Sequence, residues 1–117
     1  MLNVVALNGR LTESPALKYT DEKVPYLNFL LAVDKPWRKD HPSESIFIAC
    51  SAWRHTAEFI SRNFVKGQLL AVEGSLNVRT WVSDDGENRS KMEVLVNNVH
   101  FAGPKPSHTA DTQVMQS

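Results

Sequence analysis

Alternation of apolar and polar residues with a period of two, which marks a strand with one face inward, runs through most of this chain. Residues 3–11 are short, apolar and partly β-branched, and they predict a first strand ending near Leu11. Ser14-Pro15 breaks the pattern, and residues 17–19 read as a short continuation. Residues 24–33 alternate only loosely, are rich in Leu, Phe and Tyr, and predict a second strand buried on much of both faces. Residues 34–45 combine two prolines, several charges and Trp37, and read as an exposed loop. A third strand follows over residues 46–53. It places Ile46, Ile48, Cys50 and Ala52 on one face and Phe47, Ala49, Ser51 and Trp53 on the other.

The period then changes. Ala57, Ile60 and Phe64 fall on one stripe at helical spacing, so residues 54–65 predict the single helix, stopped by Lys66-Gly67. Residues 68–82 form a long fourth strand with a bend or bulge expected at Gly74. Asp84-Asp85-Gly86-Glu87 supplies turn chemistry, and residues 88–101 return as a fifth strand. An all-β chain with one helix between its third and fourth strands fits a five-stranded Greek-key barrel of the OB type. The open face and loops of that architecture bind oligonucleotides or oligosaccharides. Pattern alone leaves a sandwich or an SH3-like barrel open. Residues 1–103 constitute the expected domain, and residues 104–117, poor in apolar side chains, the expected disordered tail.

Composition narrows the possibilities. At 117 residues the chain is one domain, large enough for a core without metal or disulfide staples. Thirteen basic and thirteen acidic residues cancel, so attraction for a polyanion has to come from local arrangement. One cysteine excludes an internal disulfide and suits a reducing, cytoplasmic location. No basic, apolar leader and no membrane-spanning apolar run is apparent.

The candidate chemistry lies in aromatics set among basic residues. Charged flanks favour surface positions for Trp37 and Trp81, whereas Phe47 and Trp53 fit the core as well as the surface. Arg38, Arg54, Arg79 and Arg89 fall beside these rings, while Lys18, Lys66 and Lys91 belong to a wider scatter of basic residues. The acids gather instead at Asp21-Glu22 and Asp84-Asp85. Separated rings with nearby guanidinium groups suit unpaired nucleic acid, because every base has a π-face that stacks without regard to sequence. Two other classes compete: a protein-interaction module using the same rings, and an enzyme using Cys50 as nucleophile with His55 as base. Cys50 lies on the apolar face of its strand, which favours an inert thiol. His41, His55, His100 and His108 show no metal-ligand spacing, and no phosphate-binding glycine loop is present, so no cofactor or metal is expected.

Several motifs resemble one family in order along residues 1–105. Gly9-Arg10-Leu11-Thr12-Glu13-Ser14-Pro15-Ala16-Leu17-Lys18-Tyr19-Thr20 is similar to the opening of the bacterial single-stranded DNA-binding proteins (SSB). Trp53-Arg54, Ala57-Glu58 and Lys66-Gly67 resemble the end of their third strand and their helix. Glu73-Gly74-Ser75-Leu76, Arg79-Thr80-Trp81 and Glu93-Val94 resemble their last two strands.

The resemblance implies an OB fold and a homotetramer that binds single-stranded DNA without catalysis, in replication, recombination, repair or DNA uptake. It implies stacking on Trp37, Phe47, Trp53 and Trp81 and phosphate contacts from Lys66, Arg79 and Arg89, to which Arg38 and Arg54 are added as neighbours. Two departures stand out. Asn8 occupies a position that is usually apolar in the family. The sequence after Gly103 holds one acid, Asp111, where replicative members end in an acidic tip, so recruitment of replication or repair enzymes through such a tip is not expected. A short-tailed accessory, competence-type, phage- or plasmid-borne member fits this pattern.

Overall fold

A computed structural model describes residues 1–36, 39–40 and 44–103. Trp37, Arg38 and the expected tail at 104–117 therefore lie outside the described residues.

The strands are β1 (Val5–Leu11), β2 (Lys18–Tyr19), β3 (Pro25–Asp34), β4 (Ser45–Trp53), β5 (Leu69–Val82) and β6 (Asn88–Phe101), and helix α1 (Arg54–Asn63) joins β4 to β5. They pair in the order β1-β5-β6-β4-β3-β2, and β1 also pairs with β3. That extra pairing, Arg10 with Ala32 and Leu11 with Leu31, closes the five long strands into a barrel. The two-residue β2 adds only a flap on β3. The ladders are antiparallel except for a short parallel contact between β4 and β6, where Cys50 pairs with Val94 and Ser51 with Leu95. Five strands, one helix between β4 and β5 and a terminal hairpin make the OB arrangement expected from the pattern.

Closure needs two close approaches. A Cβ on Gly9 would sit 2.6 Å from the Leu31 side chain and 2.7 Å from the Ala32 carbonyl oxygen, so glycine lets β1 cross onto β3. A Cβ on Gly74 would sit 1.9 Å from the Leu95 carbonyl oxygen. There the β5–β6 register slips, from Glu73 opposite Asn98 to Gly74 opposite Val96, which is the bulge the sequence predicts.

The barrel interior is filled by Leu11, Leu27, Leu31, Cys50, Ala52, Leu70, Val72, Val94 and Val96. Helix α1 adds Ala57 and Ile60, and Phe64 follows it into the core. Phe64 stacks on Phe101 at 4.8 Å, and Phe59 meets both rings edge-on at 6.0 Å. The helix stops at Asn63, two residues before the predicted end, because Phe64 turns extended to enter this cluster. The first strand likewise starts at Val5 and not at residue 3. The Asn3 side-chain amide takes the place of the ladder, donating to the Leu76 carbonyl and accepting from the Leu76 N–H.

Beyond the bulge the last two strands leave the barrel. From Leu76 to Val82 and from Asn88 to Met92 every residue is exposed, so the hairpin projects as an arm. No helix among the described residues is long and apolar enough to cross a membrane.

Candidate nucleic-acid interface

Register places the candidate side chains. Residues paired across an antiparallel ladder project to the same face. Trp53 lies opposite Tyr26, Ser51 opposite Asn28, Ala49 opposite Leu30 and Phe47 opposite Ala32. The intervening pairs, such as Leu27 with Ala52 and Leu31 with Ile48, point into the core. The outer row therefore has a ring at each end, with Asn28, Ser51, Ala49 and the exposed Leu30 between. Phe47 is 63% exposed and Trp53 43%, which resolves the choice that the sequence left open between core and surface. Trp53 does not stand alone, since the Tyr26 ring stacks on it with centroids 5.1 Å apart and 24° between planes.

The arm continues this face. Arg79 lies opposite Lys91, and Trp81 opposite Arg89. Trp81 is 44% exposed, as its charged flanks suggest. The join between arm and barrel is polar. The Ser51 hydroxyl donates to Glu93 Oε2 at 3.3 Å, and Arg79 Nη2 lies 3.8 Å from Glu93 Oε1. Glu93 is buried there, whereas Arg79 is half exposed. A groove of about 350 Å³ opens beside this junction. The segment from Thr12 to Ala16 forms one wall, and Lys18, Asn28, Arg79, Lys91 and Glu93 contribute to the rest.

The basic candidates differ in how free they are. Arg54 and Lys66 are exposed and have no ion-pair partner among the described residues. The Lys66 backbone N–H donates to the Ser14 hydroxyl at 3.3 Å, so this lysine stands beside the groove wall. Arg54 adopts φ +56°, a left-handed conformation that is strained in any residue with a Cβ, as the chain turns from β4 into α1. Arg89 is engaged: its guanidinium lies 3.2 Å from Asp85 Oδ2 and 3.9 Å from Glu87. Asp85 is itself held below the usual carboxylate range, first by the Ser83 hydroxyl, then by the Glu87 N–H, with Arg89 contributing less. Nucleic acid would have to compete with these turn acids for Arg89. The turn also uses Gly86 at φ +83°, as its sequence predicts.

Sequence reasoning missed Tyr26, Asn28 and Glu93. The signal for Tyr26 and Asn28 is their parity: they alternate with Leu27, Phe29 and Leu31, so their outward face was available from period two, whereas their partners on β4 follow only from strand register. Glu93 alternates with Val94 in the same way. Its burial arises from the fold around it and leaves no local trace.

The competing thiol chemistry gains no support from the geometry. Cys50 faces the core at 2% exposure, and burial, helped by the Glu93 charge, pushes its thiol up to about 12. His55 is fully exposed at the start of α1, 3.6 Å from Glu58. No cluster of three or more His, Cys, Asp or Glu suited to a metal occurs among the described residues.

A family model described as the single-strand binding protein family matches residues 2–102. The chain belongs to that family. It is 40% identical over 108 residues to a single-stranded DNA-binding protein of Caldanaerobacter subterraneus subsp. tengcongensis, covering 90% of this chain and 71% of that protein. Single-stranded DNA-binding protein B of Bacillus subtilis is 35% identical over 111 residues, covering 94% of this chain and 98% of that protein. The Thermotoga maritima single-stranded DNA-binding protein is 36% identical over 110 residues, covering 92% and 78%. The family match spans β1 through β6, so it includes the outer row, the arm and the groove between them.

Proposed function

We propose that residues 1–103 bind single-stranded DNA, without sequence-dependent pairing, along the face that runs from the outer row of β3 and β4 onto the arm. Phe47, Trp53 and Trp81 stack bases, with Trp37 as a fourth ring. Arg79 meets phosphate together with Arg38, Arg54, Lys66 and, once released from Asp85, Arg89. The observation that carries this reading is that Phe47, Trp53 and Trp81 stay substantially exposed on one continuous face beside basic side chains. In single-strand binders of this class a stacked base is worth roughly 1–3 kcal/mol by alanine substitution, so four rings would supply about 4–12 kcal/mol gross before ordering costs.

The role is coating and protection of unpaired DNA in the cytoplasm, in replication, recombination, repair or DNA uptake, with no catalytic step. The working form is a homotetramer. Leu76, Val78, Val82 and Met92 support self-association, since all four are exposed on the side of the arm opposite Trp81 and Arg79. Sedimentation gives the test of assembly, and a monomer at micromolar concentration would exclude it.

Fluorescence anisotropy with labelled oligo-dT and a duplex of equal length tests the binding reading. The expected result is strong preference for the single strand, with log affinity falling against log salt by about 0.7 per phosphate neutralised. Equal binding of both forms, or a flat salt response, would overturn it.

A further inference from the structure

Glu93 is an anomaly in a face meant for a polyanion. Its side chain is only 9% exposed, yet it lines the groove between the Thr12–Ala16 wall and the root of the arm. Its satisfied contacts are few: one hydroxyl, from Ser51 at 3.3 Å, and one guanidinium, Arg79, at 3.8 Å, beyond hydrogen-bond distance. An ionised carboxylate offers about four acceptor positions. Acceptor capacity is therefore left over at the bottom of a groove that has room for a planar ring.

A phosphate cannot use that capacity, because like charges repel at short range and the site is sheltered from screening. If DNA runs along this face, as proposed above, a base edge is the part of the strand that can use these acceptors, while the phosphates keep to the exposed cations around the groove. We propose that this groove is a guanine-preferring subsite and that Glu93 is the residue that reads it. Guanine presents two neighbouring N–H donors, N1–H and the N2 amino group, which match the two oxygens of one carboxylate. Its O6 acceptor then faces the cationic side, where Arg79 and Lys91 stand opposite each other. Cytosine and adenine bring one amino group each. Thymine brings one N–H flanked by two carbonyls, and those carbonyls repel the carboxylate. Asn28, directly opposite Ser51, supplies a further exposed amide at the rim. The stacking rings remain indifferent to sequence, so the subsite adds a local preference to a general binder.

The test uses the full chain and oligo-dT carrying one central substitution: guanine, hypoxanthine, cytosine or adenine. A single guanine also avoids four-stranded structures. The guanine oligonucleotide binds at least about fivefold more tightly than unsubstituted oligo-dT, the lower end for one bidentate base contact. Hypoxanthine, which lacks the N2 amino group, loses most of that gain. Glu93→Gln abolishes the ratio while still binding oligo-dT. The hypoxanthine contrast needs no variant and so stands even where Glu93→Gln fails to fold. Equal affinity for all five oligonucleotides, a larger gain with cytosine, or an undiminished guanine ratio in a folded Glu93→Gln protein would each overturn the subsite and leave the binding face intact. Absence of any oligo-dT binding would overturn both.

Discussion

The Tyr26 and Trp53 rings lie nearly parallel across the β3–β4 ladder, 5.1 Å between centroids. One indole face is thus braced by a phenol, while 43% of Trp53 stays open to solvent. A braced ring has less rotamer freedom to lose when a base stacks on it. Tyr26→Ala is expected to weaken oligo-dT binding by about 0.5–1.5 kcal/mol, the range for such a ring pair, and Trp53→Ala by roughly 1–3 kcal/mol. In a Trp53→Ala background the Tyr26 change should add little. Dissociation constants for the four proteins give the coupling directly, and full additivity would contradict the bracing role.

Trp81 stands on the arm, away from the core, and Phe64 is sealed in it at 1% exposure. Trp81→Ala should lower DNA affinity by about 1–3 kcal/mol with an almost unchanged melting temperature. Phe64→Ala should cost about 3–5 kcal/mol of stability. Paired thermal melts and binding titrations separate the two behaviours.

Arg54 carries left-handed backbone strain at φ +56° and an exposed cation. Glycine relieves the strain and alanine does not. Arg54→Gly is therefore expected to be more stable than Arg54→Ala by about 1–2 kcal/mol in urea melts. Both should lose the same increment of DNA affinity, since both remove the guanidinium.

Cys50 gives a pH dependence with a definite sign. Its thiol is raised from 9.0 to about 12 by burial, so the unfolded form ionises first as the pH climbs. The stability that this thiol contributes is complete below pH 9 and is lost as the pH rises toward 12. At neutral pH iodoacetamide should leave the folded protein unlabelled and label it on unfolding. Rapid labelling of the native state would place the thiol outside the core.

Much of the architecture could be read from the residues because it is written in local periods. Period two marked β4 and its two faces, and Gly74 marked the bulge, whereas β3, expected to be buried on much of both faces, leaves Asn28 and Leu30 exposed. What escaped depends on partners far away in the chain. Tyr26 meets Trp53 only through strand register. Glu93 looks like an ordinary surface acid until Ser51, 42 positions away, bonds to it at the groove floor. Arg89 falls beside the rings in sequence, but nothing in the sequence states that the turn folds Asp85 back onto it. Ring exposure was legible for Trp81 from its charged neighbours. It was open for Phe47 and Trp53, whose strand offers one face to the core and one to solvent.

The most direct test follows the emission of the three tryptophans, Trp37, Trp53 and Trp81, as oligo-dT is added. Stacking of bases on uncovered indoles predicts strong, saturable quenching that salt reverses. Saturated binding with unchanged emission would mean that the bases lie elsewhere, and the stacking face would be wrong.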